Sequence, residues 1–226
     1  MTEIRFLGHA TFELTNAGKS VLIDPFLTGN PSAAVTAQEL APDVILLTHG
    51  HGDHYGDIVA IAKRTGATVI TIVEIAGELT GEGVENVVGA NLGGTASFDG
   101  GSVKLVPAWH TSTTPKGTVS TPTGLIIEFG GAIIYHLGDT CLFGDLELIG
   151  RRHAIDLALV PIGGFFTMDR EDAVEAVRMI GPRQVIPCHY NTWPPIATDV
   201  DAFKSDVENT TASDVIVLEP GETHSL

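Results

Sequence analysis

Three histidines and an aspartate fall within six positions at the end of an apolar run, in the segment Val44-Ile45-Leu46-Leu47-Thr48-His49-Gly50-His51-Gly52-Asp53-His54. Four metal-competent side chains so close together constrain the chain more than any other feature, because a metal centre is the arrangement that gives them a common purpose. Residues 43–48 have the length and aliphatic, β-branched content of a buried strand, and residues 55–65, ahead of Gly66, carry a helical pattern with a glycine stop. The cluster therefore belongs on a strand-to-helix loop. There His49 and His51 can turn toward one point, while Asp53 and His54, at the start of the helix, can turn toward a second. Gly50 and Gly52 make room for that backbone path. The alternative is a polar loop that happens to hold three histidines, but such clusters rarely lack a metal.

A dinuclear site needs further ligands, and zinc-like ions take histidine nitrogen and aspartate oxygen. Outside the cluster stand His9, His110, His136, His153, His189 and His224. His110 follows the strand-like residues 102–109, His189 follows residues 184–188, and Asp139 follows the apolar residues 132–138. A carboxylate can bridge two cations, which an imidazole cannot. In a layered α/β sheet, ligands gather beyond the strand ends, and each of these three candidates is expected at one.

Taken in order, Asp24 in Val21-Leu22-Ile23-Asp24-Pro25, the His49/His51/Asp53/His54 cluster, His110, Asp139 in Gly138-Asp139-Thr140, and His189 resemble the five motifs of the metallo-β-lactamase superfamily. The likeness spans nearly the whole chain. Within the superfamily the chain is similar to a bacterial and archaeal group of metal-dependent hydrolases related to L-ascorbate-6-phosphate lactonase. More remotely, it resembles the phospholipase D that cleaves N-acyl phosphatidylethanolamine. The segments Leu7-Gly8-His9-Ala10-Thr11-Phe12, Ile23-Asp24-Pro25-Phe26-Leu27-Thr28-Gly29-Asn30-Pro31 and Pro161-Ile162-Gly163-Gly164-Phe165-Phe166-Thr167-Met168 carry that likeness. The resemblance implies a four-layer αββα sandwich. It also implies two divalent metal ions, one held by His49, His51 and His110 and the other by Asp53, His54 and His189, with Asp139 between them. Zinc is the expected ion, with manganese, nickel or iron as alternatives. Asp53 is implied as both ligand and proton acceptor, and His9 as a residue that reaches the metal pocket.

Composition narrows the rest. With 226 residues, 43% of them hydrophobic, the chain can bury a sizeable core, and residues 1–226 are expected to form one domain. An apolar strand pattern begins at Ile4 and Phe6 without a preceding signal peptide, and no run of about 18 apolar residues exists to span a bilayer. A cytoplasmic enzyme is the expectation. Cys141 and Cys188 each adjoin a candidate ligand loop. Strand alternation should send Cys188 into the core as a reduced thiol while His189 faces the metals. The net charge of −16, with no basic cluster larger than Arg151-Arg152 or Lys63-Arg64, speaks against a nucleic-acid partner. The expected partner is a small-molecule substrate.

Residues 43–48, with their ligand loop and helix, are echoed by residues 156–161, a glycine loop and a second helix, which suggests an internal duplication. Asp169 is a plausible N-cap of that second helix, Glu171 and Asp172 suit its positive end, and Gly181-Pro182 ends it. The pairs Gly93-Gly94, Gly100-Gly101 and Gly130-Gly131 read as hairpin turns.

Two cations roughly 3.5–4 Å apart can share a water, lower its pKa toward about 7 and hold hydroxide beside a substrate. The expected activity is hydrolysis of a small ester, lactone or phosphoester. Asp24 can accept the free N–H of a ligand histidine and fix its tautomer, the alternative being a turn-initiating Asp-Pro. His9 is read as a substrate contact or extra ligand, against a turn or core histidine. His136 reads as a satisfied strand residue, and His153 and His224 as surface residues. Trp109, Phe165, Phe166 and Trp193 can wall the site, although burial is the commoner fate of such residues, and Lys116 can pair with an anionic group. Two other readings stand beside hydrolysis. One is metal redox chemistry like that of di-iron oxygen reductases, which place a carboxylate where His51 stands and need a flavin partner. The other is a non-catalytic relative, a class that tends to lose ligands, whereas every motif position here is filled.

Overall fold

Leu157–Pro161 is buried at every position. A strand with both faces apolar has to be covered on both sides, which calls for a sheet sandwiched between two other layers. The computed structural model, which describes residues 1–226, supplies those layers as two seven-stranded sheets. In chain order the first sheet is built from β1 (Glu3–Gly8), β2 (Thr11–Asn16), β3 (Lys19–Ile23), β4 (Val44–Leu46), β5 (Thr68–Ile72) and β6 (Val87–Ala90). The second contains β7 (Thr95–Phe98), β8 (Gly101–Pro107), β9 (Thr123–Phe129), β10 (Ala132–His136), β11 (Leu157–Pro161), β12 (Gln184–Cys188) and β13 (Asp214–Val215). The last strand, β14 (Thr223–Ser225), returns to pair with β1 and gives the orders β14-β1-β2-β3-β4-β5-β6 and β13-β12-β11-β10-β9-β8-β7.

Side-chain alternation sorts the layers. Leu157, Leu159 and Ile186 join β1 to β5 in the larger core, which also takes in Ile58 and Ile61 of α2 (Ile58–Thr65) and Ile75 and Leu79 of α3 (Val73–Gly81). Their neighbours Ala158, Val160 and Val185 face a second core with α4 (Asp145–Arg152), α5 (Arg170–Ile180) and α6 (Val200–Thr210). The result is an αββα sandwich. α5 begins on Asp169, whose carboxylate accepts from the Asp172 amide at 2.9 Å, and it ends on left-handed Gly181, the expected boundaries.

Within each sheet three antiparallel pairings are followed by three parallel ones. β4 therefore occupies the same place in the first sheet as β11 in the second, which is the echo noticed in the sequence. β1, β3, β4 and β5 run in one direction, as do β8, β10, β11 and β12. Every loop that carries a candidate ligand leaves the carboxyl end of one of these strands.

Two local expectations differ from the structure. The helical pattern of residues 55–65 is broken, with α1 (Gly52–Tyr55) separated from α2 at Gly56, which has φ +39°. A Cβ on Gly56 would lie 2.3 Å from the Pro25 carbonyl oxygen, so a tertiary contact overrides the helical periodicity. Gly93-Gly94 does not form a hairpin either: β6 pairs only with β5 and β7 only with β8, so these glycines carry the chain from one sheet to the other. The glycines at 100–101 and 130–131 do serve antiparallel neighbours, β7/β8 and β9/β10. No helix is long and apolar enough to cross a membrane.

Candidate metal centre

The loop after β4 brings His49, His51, Asp53 and His54 to the rim of the sandwich, with Asp53 and His54 in the first turn of α1. The loops after β1, β3, β8, β10 and β12 add His9, Asp24, His110, Asp139 and His189. Two groups of donor atoms result, each within 4.8 Å: His49, His51, His110 and Asp139 in one, and His9, Asp53, His54 and His189 in the other. Asp139 links them. Its Oδ2 lies 3.8 Å from His49 Nε2, 3.6 Å from His110 Nε2 and 3.1 Å from His189 Nε2, while its Oδ1 lies 3.3 Å from His54 Nε2.

Hydrogen bonds behind these rings orient their lone pairs. Asp24 is fully buried; its Oδ1 accepts from the Thr48 amide at 2.8 Å and its Oδ2 from the Thr48 hydroxyl at 2.6 Å. The same Oδ2 lies 2.7 Å from His54 Nδ1 and accepts its N–H, which leaves the His54 Nε2 lone pair facing Asp139. Because the Thr48 hydroxyl donates to Asp24, it accepts from His49 Nδ1 at 3.0 Å and turns His49 Nε2 inward. His49 Nε2 and His51 Nδ1 then face each other at 3.1 Å. Ser112 fixes the loop from the far side by accepting the Gly50 amide at 2.9 Å, and Thr111 lies 3.4 Å from His51 Nε2.

His9 enters the second group of donors and is also held from behind. Its Nε2 is 3.2 Å from Asp53 Oδ2, and its Nδ1 is 2.8 Å from the hydroxyl of Thr192, a residue that no motif marks. Its ring centroid lies 4.1 Å from that of His189 and 4.8 Å from that of Trp193. The carbonyl of His9 accepts the His189 amide at 2.7 Å, so the two sheets are joined at the centre itself. His9, Asp24 and His189 all adopt left-handed backbone, with φ of 59°, 46° and 55°. For side chains other than glycine such backbone is strained, and strain of this kind concentrates where a site demands it.

The arrangement fits divalent cations on its own chemistry. His54 Nε2 and both ring nitrogens of His189 are buried without a hydrogen-bond partner, and an orphaned buried polar atom costs about 1–3 kcal/mol. The two Nε2 atoms face carboxylates, His54 Nε2 at 3.3 Å from Asp139 and His189 Nε2 at 3.1 Å from Asp139 and 3.7 Å from Asp53. These His and Asp clusters fit a dinuclear metal site. Without cations, protons take their place. Burial pushes His54 down, yet Asp139 and Asp24 outweigh it and hold its pKa well above the usual histidine value. Burial likewise lowers His189, but Asp139 and Asp53 raise it to about 9. Burial lowers His9 to about 4 against the pull of Asp53, so that ring is neutral. Burial raises the carboxyls of Asp53 and Asp139, but neighbouring histidines hold both below the usual carboxylate range.

A histidine whose folded pKa is raised contributes stability that is fully present below its unfolded value of 6.5 and is lost as pH rises through about 9. The Tm of chelated protein should therefore fall across that window. Metal uptake displaces the same proton, so metal affinity should rise over it. Thermal denaturation with and without chelator at a series of pH values checks both.

The remaining sequence candidates fall as follows. His136 is buried and satisfied, with Nε2 3.3 Å from the Ala10 carbonyl and Nδ1 accepting the Gly138 amide at 3.0 Å. Cys188 packs in the core, Cys141 is exposed, and both thiols are free. His224 bonds Gln184 at 2.9 Å, and Lys116 is engaged with Glu82. Trp109, Phe165 and Phe166 depart from the general expectation of burial and stand in solvent, 65%, 80% and 52% exposed. Trp193 is half-buried against Phe26 and His9.

Residues 3–189 match the family model described as the β-lactamase superfamily domain. The chain belongs to that superfamily, and within it to the metal-dependent hydrolases. It is 49% identical over 99% of its length to a UPF0173 metal-dependent hydrolase of Pelotomaculum thermopropionicum, the whole of which is covered. It is 50% identical over 98% to one of Thermococcus onnurineus, 98% of which is covered. Among solved structures it is similar to Igni18, a metallo hydrolase from the hyperthermophilic archaeon Ignicoccus hospitalis, with a TM-score of 0.90 and 40% identity over 99% of this chain and 97% of that one.

Proposed function

We propose that this single-domain chain holds two divalent cations, most simply zinc, and hydrolyses a small ester, lactone or phosphoester. In this reading His49, His51 and His110 hold one ion, and Asp53, His54 and His189 the other, with Asp139 shared. The observation that carries it is Asp139 itself. One buried carboxylate stands 3.1–3.8 Å from four imidazole nitrogens drawn from three loops, two of those nitrogens otherwise unpartnered. Cations held there supply Lewis acidity toward a carbonyl or phosphoryl oxygen and bring the ionisation of water down to about pH 7.

The chain's own groups do the rest. Asp53 is the more open of the two central carboxylates, with 28% side-chain exposure against 3% for Asp139. It is held on its inner side by His9 and His189, so its position suits a group that takes up a proton and passes it to solvent. Asp24 and Thr48 keep His54 and His49 in the tautomers that offer Nε2. His9, neutral and wedged between Asp53 and Thr192, aims the Asp53 carboxylate. His9→Ala should therefore leave most of the metal bound and lower turnover by roughly tenfold to a hundredfold. Metal content and kcat, measured on the same sample, check this.

The test is hydrolysis by metal-loaded protein of activated esters, lactones and phosphodiesters. The rate should rise through an apparent pKa near or above neutrality, vanish on chelation and return with added metal. A fully loaded protein that hydrolyses nothing in such a panel, but consumes oxygen with a reductant, would transfer the reading to redox chemistry.

A further inference from the structure

Exposed aromatic side chains occur at three places on the molecule, Trp109, Phe165 and Phe166. Trp109 belongs to the loop that carries His110, and Phe165 and Phe166 to the loop after β11, which carries no candidate ligand but packs on loops that do. Trp109 immediately precedes His110, and its amide donates to the Thr140 hydroxyl at 3.0 Å. The Thr140 carbonyl in turn accepts the Met168 amide at 3.1 Å, and Met168 closes the 163–168 loop by accepting from Gly164 at 2.9 Å. Thr140, next to Asp139, thus ties the two aromatic segments to the shared carboxylate. The phenylalanine loop is also seated on His189, since a Cβ on Gly163 would lie 2.2 Å from the His189 carbonyl oxygen.

The loop is shaped for display. Phe165 is held at φ +52°, and its ring meets that of Phe166 edge-on at 4.8 Å. A bulky side chain in left-handed backbone is an outlier, and large rings held in water mark a surface that something apolar covers. Charge indicates what does so. Residues 24–36, 48–57, 108–115, 137–144, 161–169 and 189–199, the loops that carry candidate ligands or the exposed rings, contain no lysine or arginine. The nearby Lys116 is engaged with Glu82, and Arg170 lies 3.4 Å from Asp206. A substrate with anionic groups beyond the reacting bond would find no cationic side chain here.

We infer that the substrate is an uncharged carboxylic ester or lactone whose apolar acyl or aryl group lies on Trp109, Phe165 and Phe166. The inference rests on the hydrolase reading of the metal centre and narrows it, setting the phosphoester aside. The aromatic rim holds the non-reacting part of the substrate while the carbonyl meets the His and Asp groups, so affinity should grow with the length of the apolar group.

Calorimetric titration of metal-loaded protein with acetohydroxamate and octanohydroxamate separates the two contributions, because both carry the same metal-binding head. The longer compound should bind at least tenfold more tightly. In the Phe165→Ser/Phe166→Ser double variant that ratio should fall to threefold or less, and in Phe165→Leu/Phe166→Leu it should remain near the wild-type value. A parallel kinetic series of p-nitrophenyl acetate, p-nitrophenyl octanoate and bis-p-nitrophenyl phosphate should show kcat/KM rising with acyl length, with the phosphodiester slowest. Equal binding of the two hydroxamates, a ratio unmoved by the serine variant, or preferential turnover of the phosphodiester would overturn the inference and leave the hydrolase reading standing. Failure of both hydroxamates to bind, with no ester turned over, would instead remove the metal centre on which it rests.

Discussion

Asp139→Ala should abolish metal retention and hydrolysis together. The residue is 3% exposed and stands within 3.8 Å of nitrogens from His49, His54, His110 and His189, so its loss affects both groups of donors. Even a residue that merely supports a ligand changes metal affinity about tenfold to a hundredfold. A shared ligand should exceed that, and activity should fall by about a thousandfold or more through loss of both ions. The metal-free variant should also lose the anion that holds protons on His54 and His189, so the downward slope of its Tm between pH 6.5 and about 9 should flatten relative to chelated wild type. Elemental analysis, kcat and pH-resolved melting on one preparation read all three.

Asp24→Ala should have the largest effect on stability. It removes a fully buried carboxylate and leaves the Thr48 amide, the Thr48 hydroxyl and the His54 Nδ1–H without their acceptor. Breaking a buried charged network from one side costs about 3–5 kcal/mol, which for a domain of this size lowers Tm by roughly 10 °C. Asp24→Asn is the sharper comparison. Asparagine tolerates the left-handed backbone, here φ 46°, so the change removes the charge without adding backbone strain. It should cost less stability than alanine while still weakening metal affinity, because the amide cannot hold His54 in the tautomer that presents Nε2 as the carboxylate does.

Much of the centre is readable from the chain because its ligands follow a positional rule. An apolar strand ends, and a histidine or aspartate stands just beyond it, as at His49, His110, Asp139 and His189. Parallel strand directions then bring those ends to one rim. What escapes sequence reading depends on contacts across the fold. Thr192 meets His9 across 183 residues of sequence, and no local pattern marks a threonine for that role. Thr48 offers a better signal, since it is a hydroxyl between a buried strand and the first ligand. The interruption at Gly56 is hidden because glycine is tolerated in a helical pattern, and only the Pro25 carbonyl packed against it forbids the helix. Trp109, Phe165 and Phe166 defy the usual burial of aromatics, and their loops are held by contacts with Thr140 and His189 that no local pattern reveals. Lys116 is removed from anion binding by Glu82, just past the end of α3, whose proximity the sequence does not reveal.

Two cations sharing Asp139 would show most plainly in the number of metal ions bound per chain. Protein purified without chelator, or stripped and reconstituted with zinc, should carry close to two ions per chain. It should lose hydrolysis on chelation and regain it in step with the second equivalent. A value that stays at one ion per chain after reconstitution, with activity already complete at that point, would mean that the two donor groups serve a single ion.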